Sequence, residues 1–370
     1  MRRLGNWLGN DISVSFLFFG MALVMSGLGP VPAGMAQSTG LAESLSVSGD
    51  SISRAFDADD RRCTLSDQLN HNWITGKDNG DDLCSPGPDG VFSHRERLEC
   101  ELGRLLDEST FNDARSGATM LRDFFSQAAA IRRNLTPALP LHYISVLQGH
   151  NDACTSTRNR EVADCGSADK DPNNYCRTTP AAFERELRRG MDELIQIPNS
   201  RILVSALARI SLLCNSGDKR NCILGLRCSQ FWRLTVATCA SLTSDCSDQR
   251  KIDMYNTTVA YNAVLNRLSA EYEAIPEGGL SPTGARKAAD VQVRYVEGSF
   301  YFKYNEDAIS CCDCFHPNLA GQATIAQGLW EGMQCADDSP CCLDTGDALA
   351  DATCESIDTT TTYTGGFWAR

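Results

Sequence analysis

Apolar residues follow two rhythms along this chain. Leu45–Gly49, Leu141–Gln148, Arg201–Ile210 and Val291–Val296 are short runs, alternating or continuously apolar, that predict β-strands. Between them the apolar positions recur at helical spacing. Leu98, Leu102, Leu105 and Leu106 predict a helix over Arg97–Leu106, and Leu121, Phe124, Phe125 and Ala128 predict one over Ala118–Arg132. Thr179 and Pro180 form a helix start, with Thr179 as N-cap and Phe183, Leu187, Met191 and Leu194 as the buried face. Ile252–Ile275 contains no internal break, and Asn318 caps a last helix carrying Leu319, Ala323, Ala326, Trp330 and Met333 on one side. Strand and helix alternate, so the expected architecture is α/β with a parallel sheet.

The segments that break this pattern carry the polar and cysteine-rich sequence. Asp57–Asp89 is rich in Asp, Asn, Gly and Pro and reads as an irregular surface excursion stapled through Cys63 and Cys84. Residues 153–177 are polar around Cys154, Cys165 and Cys176, and Cys214, Cys222, Cys228, Cys239 and Cys246 mark an insertion that is partly helical. The tail, 335–370, holds four cysteines and little periodicity. At the other end, Arg2 and Arg3, an apolar stretch from Ile12 to Leu28 and a small-residue site ending at Ala36 have the layout of an export signal, with cleavage expected before Gln37. The expected organisation is therefore a signal over 1–36, one large α/β domain with insertions over 37–334, and the tail. A secreted or periplasmic address follows.

Without the signal, 334 residues remain, with 32 basic against 46 acidic side chains and a net charge of −14. This argues against nucleic acid as a partner. All 18 cysteines follow the signal, an even number that allows up to nine disulfides. Adjacent cysteines such as Cys311 and Cys312 should each reach a distant partner. A zinc site at Cys311–Cys314 or Cys341–Cys342 lacks paired CxxC spacing, and the acidic loops at Asp78–Asp82 and Asp169–Asn174 lack EF-hand spacing, so neither metal nor cofactor is expected. Asn134-Leu-Thr and Asn256-Thr-Thr are glycosylation acceptors in a eukaryotic host.

The candidate chemistry lies at strand ends, where open α/β sheets place their sites. Gly49-Asp50-Ser51 closes the first strand, Gly149-His150-Asn151-Asp152 closes the Leu141–Gln148 strand, and Asp313-Cys314-Phe315-His316 precedes the last helix. Ser51 offers a hydroxyl nucleophile, His316 an imidazole base, Asp313 a carboxylate three residues away to orient it, and Asn151 an amide donor for an oxyanion. Each has a plainer role open to it: Ser51 could cap a helix and Asn151 could close an Asx-turn. His71 and His94 read as loop residues, His142 as a strand residue and His150 as lining a pocket at most. No Gly-x-Ser-x-Gly elbow is present.

With these three strings in this order, the chain resembles the SGNH/GDSL hydrolase superfamily, whose blocks one, three and five they match. Asn112–Ala118 is a looser match to block two, with Gly117 as its glycine. The resemblance spans Glu43 to Met333 and implies a three-layer α/β/α sandwich with a flavodoxin-like parallel sheet. It implies Ser51 as nucleophile, His316 as general base and acid, Asp313 as its orienting carboxylate, and an oxyanion hole of the Ser51 and Gly117 N–H groups with the Asn151 amide. The wording of block five, together with Cys154 just after block three, looks most like the phospholipase B and acyloxyacyl hydrolase branch. A lipid acyl ester is then the implied substrate; a carbohydrate O-acetyl ester, or a secreted binding protein on the same scaffold, are the alternatives. A third is a disulfide-stabilised interaction protein that works through its insertion and tail.

Overall fold

The computed structural model describes residues 41–334 apart from 81, 107–108, 136–140, 155–164, 166 and 235–237. The expected export signal and the cysteine tail lie outside the described residues. Five strands, β1 (Ser44–Gly49), β2 (Thr110–Asn112), β3 (His142–Leu147), β4 (Ser200–Ser205) and β5 (Val291–Val296), form one sheet in the order β2-β1-β3-β4-β5. Every pairing is parallel. This is the flavodoxin-like order, and its direction reverses between β1 and β3, the crevice where such sheets bind ligands. The expected three-layer α/β fold is therefore the observed one.

β1, β3 and β4 are buried along their whole length, as parallel strands covered on both faces should be. Helices α2 (Phe124–Asn134), α3 (Pro180–Leu194) and α4 (Asp248–Glu273) pack in sequence against one another. Thr179 accepts the Ala182 N–H at 3.2 Å as the N-cap of α3, whose four expected apolar residues are all buried. Helices α1 (His94–Leu102) and α5 (Leu319–Gln334) meet through His94. Asn318 caps α5 by accepting the Gly321 N–H at 3.0 Å. Among the described residues no helix is long and apolar enough to cross a membrane.

Four expectations change. The helix predicted to reach Leu106 stops at Gly103, whose left-handed backbone (φ 61°) supplies the C-cap. The helix predicted from Ala118 begins at Phe124, because the Asp152 carboxylate captures the Met120 and Leu121 N–H groups at 2.6 and 3.2 Å and holds that stretch as turns. The strand predicted to reach Ile210 ends at Ser205, and the apolar residues Ala206–Ala208 form a buried loop. The Asp57–Asp89 segment is irregular but not merely a surface excursion, since Trp73 and Ile74 are fully buried in the main core.

His94 is likewise no loop residue. It is fully buried, with Nδ1 2.8 Å from the Tyr143 hydroxyl on β3 and Nε2 2.9 Å from the Ala326 carbonyl on α5. Burial lowers its pKa to about 3, so the ring is neutral and ties the two elements together.

Candidate active site

The first strand delivers its last residues under tight control. The Gln127 side chain from α2 accepts the Gly49 N–H at 2.9 Å and donates to the Gly49 carbonyl at 3.0 Å. A Cβ at Gly49 would lie 2.5 Å from the Ser53 hydroxyl and 2.9 Å from the Leu147 carbonyl, so glycine is required where β1 meets β3. Asp50 then accepts the Ile52 N–H at 3.0 Å, which turns the chain into a single 3-10 turn at Ile52–Arg54. Ser51 stands at the head of that turn, yet its side chain makes no capping bond.

Instead the Ser51 hydroxyl lies 2.7 Å from His316 Nε2, and His316 Nδ1 bonds the Asp313 carboxylate. All three are at least nine-tenths buried. The carboxylate can only accept, so Nδ1 carries the proton and Nε2 is free to take one from Ser51. The second oxygen of Asp313 accepts the Phe315 and His316 N–H groups at 2.9 and 3.1 Å, folding the loop around the side chain that holds the imidazole. Rings of Phe56 and Phe315 flank His316 at 4.9 and 4.8 Å. Burial by itself disfavours the imidazolium, but the adjoining Asp313 charge and hydrogen bond, helped by Asp50 and Asp57, outweigh it and raise the His316 pKa above its ordinary 6.5.

Cysteines on both sides of Asp313 hold that loop, through partners that the sequence did not disclose. Cys311, Cys312 and Cys314 are each disulfide-bonded, to Cys222, Cys63 and Cys228 respectively. The adjacent cysteines thus have distant partners, as expected, and no sulfur there is available to a metal. Asn221 adds side-chain donation to the Cys311 and Cys312 carbonyls at 3.0 and 2.6 Å, and the Trp232 indole donates to the Cys314 carbonyl at 2.9 Å. The cysteine-rich insertion is therefore a clamp on the Asp313–His316 loop. Seven disulfides join the fourteen cysteines of the described residues; the remaining four lie in the tail.

Replacing Cys228 and Cys314 together by serine is expected to lower kcat about 10²-fold by loosening the loop and to cost about 2–4 kcal/mol of stability. The Cys84–Cys100 pair, which staples α1 to the preceding segment, is the control, and its serine variants should keep kcat within about twofold. Ester kinetics beside thermal unfolding separate the two effects.

The two expected oxyanion segments meet one another. Asn151 donates through its amide nitrogen to the Ala118 carbonyl at 2.9 Å, which leaves its second N–H free of that bond, and Gly117 beside it has φ 79° with open space where a Cβ would point. No hydrogen bond joins either residue to Ser51. They share its sheet edge because Gly49 pairs with Leu147 and the Arg115 N–H donates to the Gly49 carbonyl at 3.1 Å. Asp152 fastens the turn through Met120, Leu121 and the Thr178 hydroxyl at 2.9 Å.

Burial raises the Asp152 carboxyl from 3.8 to about 6. A group raised on folding stabilises the fold most below its ordinary value, and that contribution is lost as pH rises through 6. The gap corresponds to about 3 kcal/mol. An Asp152→Asn protein should therefore be most handicapped near pH 4, and its deficit in denaturant-unfolding free energy should shrink by that order between pH 4 and pH 8.

Comparison with known families decides the class, because a model of the GDSL-like lipase/acylhydrolase family matches residues 47–329. The chain belongs to the GDSL-like lipase/acylhydrolase family. It is accordingly an ester hydrolase, and its substrate is an ester. No curated protein sequence matches the chain. Similar solved structures include a GDSL-like lipase from Parabacteroides merdae, 16% identical, covering 78% of this chain and 94% of that one at a TM-score of 0.39. Another is the extracellular lipase of Streptomyces rimosus, 13% identical, covering 78% and 97% at 0.35. A lipase from Chitinophaga pinensis is 14% identical, covering 77% and 95% at 0.32. For this GDSL-like hydrolase, the family match takes in Ser51, Gly117, Asn151, Asp313 and His316 alike.

Proposed function

We propose that this protein is an exported serine hydrolase that cleaves carboxylic esters, with lipid acyl esters as substrates, through an acyl-enzyme on Ser51. The single observation that carries the reading is the continuous line from the Ser51 hydroxyl to His316 Nε2 and on from Nδ1 to Asp313. In this mechanism Ser51 Oγ attacks the ester carbonyl carbon while its proton passes to His316. The Ser51 and Gly117 N–H groups and the Asn151 amide receive the oxyanion. As the tetrahedral intermediate collapses, the carbonyl–alkoxy bond breaks and His316 gives its proton to the departing alcohol. Water, deprotonated by His316, then splits the acyl-enzyme to release the carboxylic acid and restore Ser51.

The seven disulfides and the signal-like first 36 residues support an oxidising destination. The domain of 37–334 performs the chemistry in this reading, with 335–370 as an accessory tail. The test is hydrolysis of p-nitrophenyl esters graded from acetyl to long-chain acyl by the oxidised protein. Rates that rise with chain length support the lipid reading. A maximum at acetyl would move the substrate to a small acyl group on a polar carrier, and no turnover by folded protein on any ester would sink the catalytic reading.

A further inference from the structure

His150 does more than line a pocket. The residue is 3% exposed, and its ring lies between two buried partners on neighbouring strand ends. Nδ1 is 2.9 Å from the second oxygen of Asp50, and Nε2 is 3.1 Å from the backbone nitrogen of Ala208. The Ala208 N–H can only donate, so Nε2 is the bare nitrogen and Nδ1 carries the proton given to Asp50. The tautomer is thereby set by the fold. Ala208 itself is anchored, because the Asn262 side chain on α4 accepts the Leu207 N–H at 2.7 Å and donates to the Leu207 carbonyl at 3.2 Å, and the Ser299 hydroxyl donates to the Ala206 carbonyl.

We infer that His150 is a positioning residue for the nucleophile: it transmits the rigid end of β4 to Asp50, whose carboxylate sets the turn that aims Ser51. This rests on the reading of Ser51 as the nucleophile. The first oxygen of Asp50 fixes the Ile52 N–H, and with it the backbone from which the Ser51 side chain and N–H project. Without His150 the second oxygen has no partner, and the carboxylate is free to rotate out of that turn. The neighbouring residue is Asn151, so one imidazole ties the nucleophile turn, the amide segment and the β4 loop into a single unit. A displacement near 1 Å in such a unit costs about 10²-fold in rate.

The two ring nitrogens can be imitated separately. His150→Asn places an amide donor near the Nδ1 position and keeps Asp50 held. His150→Gln reaches the Nε2 position, keeps an acceptor for Ala208 and leaves Asp50 unheld, and His150→Phe keeps only the volume. The experiment measures kcat and KM on a p-nitrophenyl ester for the full-length protein and these variants, with active sites counted by a fluorophosphonate that labels serine nucleophiles. Expected are a fall of about 10²-fold in kcat per titrated site for His150→Phe and His150→Gln, with KM within about twofold, and recovery to within about tenfold in His150→Asn.

A merely structural histidine would lower the thermal midpoint and the number of titratable sites while leaving the rate per site unchanged. That result overturns the inference, as would equal rates per site in the Asn and Gln variants. Should His150→Phe fail to fold, the Asn and Gln pair still decides. Wild-type protein that hydrolyses esters but takes no phosphonate at Ser51 would remove the nucleophile reading itself, and this inference with it.

Discussion

Ser51→Ala is expected to reduce ester hydrolysis about 10⁶-fold, as loss of the attacking atom does in serine hydrolases. Oxyanion donors and substrate binding remain, so activity above the uncatalysed rate should persist. The fold should be unaffected, because the Ser51 hydroxyl makes no helix cap and its one hydrogen bond is to His316. Its removal leaves Nε2, an acceptor, without that partner and strands no buried donor. Steady-state kinetics of the variant beside its unfolding curve test both halves of the statement. A loss of under tenfold would require a different nucleophile.

Asp313→Asn should cost about 10⁴-fold, by a different route. The two backbone N–H groups of Phe315 and His316 demand an oxygen at the position Asp313 now gives them. An asparagine would therefore turn its oxygen to the backbone and its amide nitrogen to His316. That nitrogen donates, so Nδ1 must become the acceptor and Nε2 the N–H. The imidazole would then present a proton to Ser51 instead of taking one. The substitution preserves shape, and the expected loss falls in kcat with little change in thermal stability. Titration gives a second readout. The base must be neutral, and the His316 pKa is raised, so the acid limb of kcat/KM in the wild type should have its midpoint above 6.5. Residual activity of the variant should show that midpoint moved down, because the largest raising influence has gone.

The residues of the candidate site were legible because the chemistry proposed for them demands particular side chains at strand ends, and alternating strands and helices locate those ends. β5 was readable to the residue, and α3 came with its cap and face. Expectation failed where a distant group decides the local structure. Helical spacing at Ala118–Asp123 is overruled by the Asp152 carboxylate, about thirty residues away in sequence. Ala206–Ala208 is as apolar as a strand but turns away to meet His150 and Asn262. Cysteine counts announce disulfides but not their pairing, so the hold of Cys222 and Cys228 on the Asp313–His316 loop could not be read from spacing. His150 was hidden for the same reason, since its partners lie 100 residues before and 58 after it.

The most direct measurement is mass spectrometry of the oxidised protein after reaction with a fluorophosphonate. One equivalent should be found on the peptide that contains Ser51, with ester hydrolysis lost in proportion, and no label should appear on Ser51→Ala. Label on another residue, or ester turnover that survives full modification of Ser51, would contradict the account.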